Sequence, residues 1–256
     1  MTEPIRLSKR VMQLMACSRR EAELYIEGGW VTVAGTVVEQ PQARVSDEPV
    51  AVSPEARPLT VRPVTLLLHK PAGAEAGLGP LPTGAGGPDL TDLRPAQEWL
   101  RAPHWDGDPA AGLTPLQRHF KDQVLMTPLA PRASGLVVFT QDPHIARKLH
   151  EDAHLLEREV LVDVAGTALP GALERLNRPD PGLQLDGHPL GPCKVSWQSE
   201  TRLRFALKGE RAGQIAFLCE TLGLQVLAMR RLRIGRVAMG RLAPGQWRYL
   251  LPHERF

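Results

Sequence analysis

The sequence predicts an α+β protein in two domains, and three observations carry that prediction. Apolar residues recur at helical spacing within the first thirty positions. In the second half they recur at strand spacing, and Leu203, Phe205 and Leu207 alternate with Arg202, Arg204 and Lys208. Between the two patterns lies a proline-bearing stretch at 53–63. This divides the chain into a small domain at 1–52, a linker at 53–63 and a large domain at 64–256. With 256 residues, 43% of them apolar, the chain is long enough to bury a sizeable core.

The elements follow in order. Leu7, Val11, Leu14 and Met15 predict a first helix. Ser18 with Glu21 three residues later is a capping-box signature, so a second helix starts there, with Ala22, Tyr25 and Ile26 on its apolar face and Gly28-Gly29 as its stop. Trp30-Val31-Thr32-Val33 and Ala34-Gly35 read as strand and turn, completing a unit of two helices and a hairpin. Pro54, Pro58 and Pro63 mark the linker, and Val64 to Leu68 is a short buried strand. From Ala74 to about 125 a long, partly mobile loop is expected, because Gly, Pro, Ala and Asp dominate its first part and only Trp99 and Trp105 interrupt them. Beyond Ala130, strands are predicted at 135–140, 158–164, 194–198 and 201–207, and helices at 143–153, 169–177 and 211–222.

Several function classes are excluded early. A formal charge of +3 is too mild to demand a polyanion, so the placement of the basic residues matters more than their number. Cys17, Cys193 and Cys219 lie far apart, with no metal-site or disulfide spacing, which fits a reducing cytosol. No apolar run approaches the ~20 residues of a membrane span and the N-terminus is polar, so a soluble, cytoplasmic protein is expected. The histidines lack the His-Glu-x-x-His spacing, Ser134-Gly135 lacks the Gly-x-Ser-x-Gly frame, and the glycines at 84–87 lack a following Lys-Ser/Thr. No metal and no cofactor is expected.

Arg6, Lys9, Arg10, Arg19 and Arg20 crowd the outer faces of the first two helices, a run that alone reads as a solvated surface. Their order says more. Arg6-Leu7-Ser8-Lys9, then Cys17-Ser18-Arg19-Arg20-Glu21-Ala22, then Ile26-Glu27-Gly28-Gly29-Trp30-Val31-Thr32-Val33-Ala34-Gly35, closely resembles the S4-like RNA-binding domain over about forty residues. That resemblance implies RNA contacts at Arg6, Lys9, Arg10, Ser18, Arg19 and Arg20, made by shape and phosphate recognition. Lys70-Pro71-Ala72-Gly73 resembles the Lys-Pro-x-Gly that opens the catalytic domain of the RNA pseudouridine synthases, which adds Lys70 as an RNA-binding candidate. The C-terminal run, from Pro192-Cys193-Lys194-Val195 through Gln214-Ile215 and Arg231-Leu232-Arg233-Ile234-Gly235 to Leu242-Ala243-Pro244-Gly245-Gln246-Trp247-Arg248, is similar to that family's closing strands. The Cys-Lys-Val stretch most resembles the branch acting on large-subunit ribosomal RNA and, in some members, transfer RNA. The family implies a mixed, mostly antiparallel sheet with flanking helices beside an RNA-sized cleft, and structured RNA, ribosomal or transfer, as partner.

Four departures from the family pattern fall in one place. Anchored on Gly135-Leu136 and Thr140-Gln141-Asp142, the family's nucleophilic Asp falls on Ala130. In the family that Asp attacks the flipped uridine without any cofactor, and a methyl group cannot. The Arg two residues earlier is Pro128, the Tyr that packs on the base is Val160, and the cation expected after Gln214-Ile215 is replaced by Ala216. The resemblance therefore implies a structured-RNA-binding relative that has lost isomerase activity. Two alternatives remain open: an active RNA isomerase using a relocated carboxylate such as Asp122, and a protein-interaction scaffold built on the Trp99 and Trp105 loop.

Overall fold

The computed structural model describes residues 3–57, 62–78, 93–107, 114–178 and 183–256. They form two units, one built from the N-terminal residues to Pro63, the other from Val64 onward.

In the N-terminal unit, β1 (Ile5–Arg6) runs into α1 (Leu7–Met15), which ends at Ala16 in the left-handed conformation. The helix α2 (Arg19–Glu27) carries the expected capping box. The Glu21 amide donates to Ser18 Oγ at 3.3 Å and the Ser18 amide to the Glu21 carboxylate at 2.8 Å, so two amides at the helix start are satisfied at once. The strand β2 (Val31–Val33) lies between β3 (Thr36–Val37) and β5 (Val50–Val52), and β4 (Arg44–Val45) pairs with β1. Leu7, Val11, Ala22, Ile26, Val31 and Val45 close the core of this unit, where both helix stripes meet the hairpin. The described stretch 114–122, expected within the large domain's loop, instead clusters with this unit. The Gln117 amide donates to Glu39 Oε2 at 2.6 Å, and Leu116 lies against Gly29.

The larger unit is organised by a nine-stranded sheet. Its elements are β6 (Thr65–Lys70), β7 (Ala74–Glu75), β8 (Arg94–Pro95), β9 (Val124–Leu125), β10 (Ser134–Thr140), α3 (Pro143–Glu151), β11 (Glu157–Ala165), α4 (Ala172–Asn177), the hairpin of β12 (Gln184–Leu185) and β13 (His188–Pro189), β14 (Cys193–Ser199), β15 (Arg202–Lys208), α5 (Gln214–Glu220), β16 (Gln225–Ile234), β17 (Val237–Ala238) and β18 (Trp247–Tyr249). The strand order is β14-β15-β11-β16-β10-β6-β18, with β9 on β10 and β17 on β16. Only β10 and β16 pair in parallel; the other pairs of this sheet are antiparallel. The α+β class with a mixed, mostly antiparallel sheet is therefore the observed architecture.

One face of β11, β15 and β16 packs on α4 and α5 through Val160, Val162, Phe205, Leu176, Ile215 and Leu218. Farther along the sheet, Leu67, Leu136, Val138 and Ile234 form a second core with Leu149 of α3. The free side of β14 is capped mid-strand by Asn177, whose amide accepts from the Val195 N–H at 2.8 Å and donates to its carbonyl at 2.9 Å. A side chain thus takes the bonds that another strand would take.

Three expectations need correction. The helices α4 and α5 begin later than the spacing suggests, because Gly171 and Gly213 sit at φ +69° and +80°, outside the right-handed helix. The ten-residue β16, which lies at the centre of the sheet, was missed as a strand because register shifts along its pairing with β11 interrupt the two-residue alternation. The described parts of the 74–125 loop carry secondary structure the composition does not announce: β7 and β8 pair, and single 3₁₀ turns form at Ala96–Trp99, Ala102–His104 and Gln117–Phe120. Residues 79–92 and 108–113 of that loop lie outside the described residues. Trp105 packs edge-on against Tyr249, Trp99 covers Gly245, and Trp247 Nε1 donates to the Arg101 carbonyl at 2.7 Å. Both loop tryptophans are half-buried in this packing. Among the described residues, no helix is long and apolar enough to cross a membrane.

Candidate functional site

Gly135 organises the region where the departures fall. It pairs with Lys70 of β6 on one side and Arg231 of β16 on the other, at the start of the parallel pairing. A side chain at 135 would run into the Arg231 backbone, and φ is +118°, so glycine is required.

This register brings two cations to the same loop, residues 126–133. Lys70 Nζ donates to the carbonyls of Pro71 at 2.9 Å, Ala74 at 2.8 Å and Pro131 at 3.1 Å. The Arg231 guanidinium donates to those of Leu136 at 2.8 Å, Pro128 at 3.0 Å and Thr127 at 2.6 Å. Lys70 is 0% exposed and Arg231 1%. Burial pulls the Lys70 ammonium down to about 8, helped by the nearby Arg231 charge and opposed by Glu75. Burial likewise lowers Arg231, to about 9. Lys70 was expected to meet RNA. Its amine is turned inward and saturated by carbonyls, so its role is to hold the loop in place.

The loop forms one wall of a cavity of about 180 Å³. Pro128, Ala130, Val160 and Ala216, separated by up to 88 positions, all line it. Three elements bring them together: the clamped loop, β11 and the start of α5. No carboxylate stands at 130 and no ring at 160. Charge enters from another direction, since Arg158, Glu210, Arg211 and Arg231 also line the cavity, and Arg158 Nη1 lies 3.6 Å from Glu210 Oε2. Asp122 is not a lining residue. It is exposed, holds φ +51° and clusters with the N-terminal unit. Glu210 was missed as the pocket carboxylate, although its place just before the Ala212-Gly213-Gln214-Ile215 segment was a usable signal. Among the described residues, no group of His, Cys, Asp and Glu could hold a metal ion.

In the N-terminal unit Arg6, Lys9, Arg19 and Arg20 are exposed and Arg10 half-buried. Arg19 Nε reaches Glu23 at 2.8 Å, a surface pair that contributes little and is screened by salt. Ser18 stands among them with its oxygen already accepting the Glu21 amide, so its first duty is to start the helix.

The chain is 25% identical over 255 residues to the ribosomal small subunit pseudouridine synthase A of Vibrio cholerae, covering 98% of this chain and 97% of the relative. It is 26% identical over 256 residues to the dual-specificity RNA pseudouridine synthase RluF of Escherichia coli, covering 98% and 77%. A crystal structure of a pseudouridylate synthase matches with a TM-score of 0.55 at 19% identity, covering 96% of both chains. This chain is a relative of the RNA pseudouridine synthases. No protein-family model matches it. The pseudouridine synthase likeness takes in both units, since the curated relatives align over nearly its whole length. Three cysteines stand free, two of them buried with thiols pushed up to about 11 at Cys193 and about 12 at Cys219 by desolvation.

Proposed function

We propose that this protein binds structured RNA, ribosomal or transfer, through its N-terminal unit without isomerising uridine. The observation that carries this reading is the cavity. The position that resembles the family's nucleophile is Ala130, Val160 offers no ring for a base to stack on, and the carboxylate that lines the space, Glu210, faces Arg158. The loop that would carry a nucleophile is nonetheless held by three hydrogen bonds from two buried cations, from Lys70 to Pro131 and from Arg231 to Thr127 and Pro128. The N-terminal unit acts as an S4-like domain, with Arg6, Lys9, Arg10, Arg19 and Arg20 as its phosphate contacts. The free thiols and the RNA substrates named for the curated relatives fit a cytoplasmic protein.

Tritium release from RNA labelled at uridine C5 tests the absence of chemistry, with an active family member as control. Release above background, abolished by Glu210→Gln or by Asp122→Ala, would establish a relocated carboxylate and overturn the reading. RNA binding is tested by filter titration across salt. The expected result is a linear fall of log affinity with log salt, whose slope shrinks by about one to two in Arg19→Gln/Arg20→Gln.

A further inference from the structure

We propose that the open face of the sheet formed by β14, β15, β11 and β16 is a docking surface for helical RNA, held through its phosphate backbone. Side chains alternate between the two faces of a strand. On β11, Val160 and Val162 pack toward α4 and α5, and Val160 lines the cavity, so Glu159, Leu161 and Asp163 point to the opposite face. Pairing carries this across the sheet, because residues directly opposite each other share a face. Leu161 pairs with Arg204 and Arg230, Glu159 with Ala206 and Arg233, and Asp163 with Arg202 and Ala228. The face belongs to the larger unit and lies on the side of the sheet away from the cavity.

Six cations stand on it, Lys194, Arg202, Arg204, Lys208, Arg230 and Arg233, against three carboxylates, Glu157, Glu159 and Asp163. All three carboxylates are already engaged, Asp163 by Arg202, Glu159 by Arg204 and Arg233, and Glu157 by Arg233. Arg233 and, through space, Lys194 and Lys208 hold the Glu157 carboxyl below its ordinary value, but one carboxylate cannot balance three cations. Glu200 belongs to the turn beyond the ends of β14 and β15. Lys194, Lys208 and Arg230 are exposed and make no ion pair among the described residues. The floor between the cations is low, made of Ser196, Ala206, Ala228 and the half-buried Leu161. The aromatic residues of these strands lie on the other face, Phe205 in the core and Trp197 paired with the core residue Leu203. With no ring on which a base could stack, the face suits the backbone of a duplex rather than splayed single-stranded bases. At about 4.8 Å between strands and about 6.8 Å between same-face residues, Lys194, Lys208 and Arg230 span roughly 17 Å. A nucleic-acid duplex carries about one charge per 1.7 Å, so that span meets several phosphates. The inference deepens the RNA-binding reading, whose contacts lie on the N-terminal unit, and the two are tested apart.

The test is filter titration of the full chain, across salt, with a short, fully paired RNA duplex and with one of its strands alone. Lys194→Gln/Lys208→Gln/Arg230→Gln removes three exposed charges and no ion pair. It is expected to weaken duplex binding about tenfold or more and to reduce the salt slope by about two to three, while the single strand loses less than about threefold. Lys194→Arg/Lys208→Arg/Arg230→Lys keeps the charge and is expected to bind like the wild type; loss in both triple variants would mark a structural effect and overturn the proposal. Unchanged duplex affinity and slope in the neutral triple variant would also overturn it, as would an equal loss on duplex and single strand. Arg19→Gln/Arg20→Gln tells the two readings apart. A loss there with none in the neutral triple variant keeps the N-terminal site and refutes this face, a loss in the triple variant alone does the reverse, and losses in both support both. A wild-type chain that binds neither RNA refutes the two together.

Discussion

Replacing Arg231 by methionine isolates the part of the site that the fold invests in most heavily. The guanidinium is 1% exposed and donates to three carbonyls, two of them in the loop that carries Ala130. Methionine fills much of the same volume, so the loss is polar rather than a large cavity. The bonds to Leu136 and Thr127 are buried, and each acceptor left without a donor costs about 1–3 kcal/mol. The part-buried Pro128 carbonyl finds water and adds little. Against this, the variant no longer desolvates a cation, a relief of several kcal/mol in principle, although breaking buried charged networks still destabilises by about 3–5 kcal/mol. The expected net loss is about 3 kcal/mol. Urea denaturation of the large unit's transition measures it, and hydrogen exchange localises it at the Val138 amide, which donates to Thr127 Oγ1 at 2.8 Å. Arg231→Lys should recover about half, because an ammonium cannot span three separated acceptors as a planar fork does. A loss below about 1 kcal/mol at unchanged urea dependence, with no change in Val138 exchange, would refute the clamp.

Three further outcomes are expected. Ala130→Asp alone should give no tritium release, because neither a ring at 160 nor a cation at 216 returns with it; robust turnover would show that the remaining pocket suffices. Lys70 binds its proton less tightly folded, at about 8 against 10.5 unfolded, so the unfolded chain carries the extra proton between those values and folding stability rises with pH across that window. The stability difference between wild type and Lys70→Met should therefore change by up to about 3 kcal/mol from pH 8 to 10.5 in denaturant titrations, and a flat difference would contradict the burial argument. Asn177→Ala should cost about 1–3 kcal/mol and bare the middle of β14, giving concentration-dependent light scattering; a monodisperse, equally stable variant would remove Asn177 from the edge-blocking role.

By itself the sequence determined the helix pair with its capped second member, the strands expected at 135–140 and 201–207, and the fact that position 130 carries no carboxylate. Each of these is written in contacts three or four residues apart along a helix, in the two-residue pleat of a strand, or in a short anchored motif. Only the tertiary structure decided that Lys70 is a buried clamp rather than a surface cation, since its third acceptor lies 61 positions away. The same holds for Arg231, which reaches Thr127 across 104 positions, for Trp99, which covers Gly245, and for Trp105, which packs on Tyr249 of the closing strand. Arg158 and Glu210, 52 positions apart, meet where β11 and the segment before α5 line one cavity. Whether a charge faces water, a carbonyl or an opposite charge depends on which distant segments the sheet order makes neighbours, and no local period records that order.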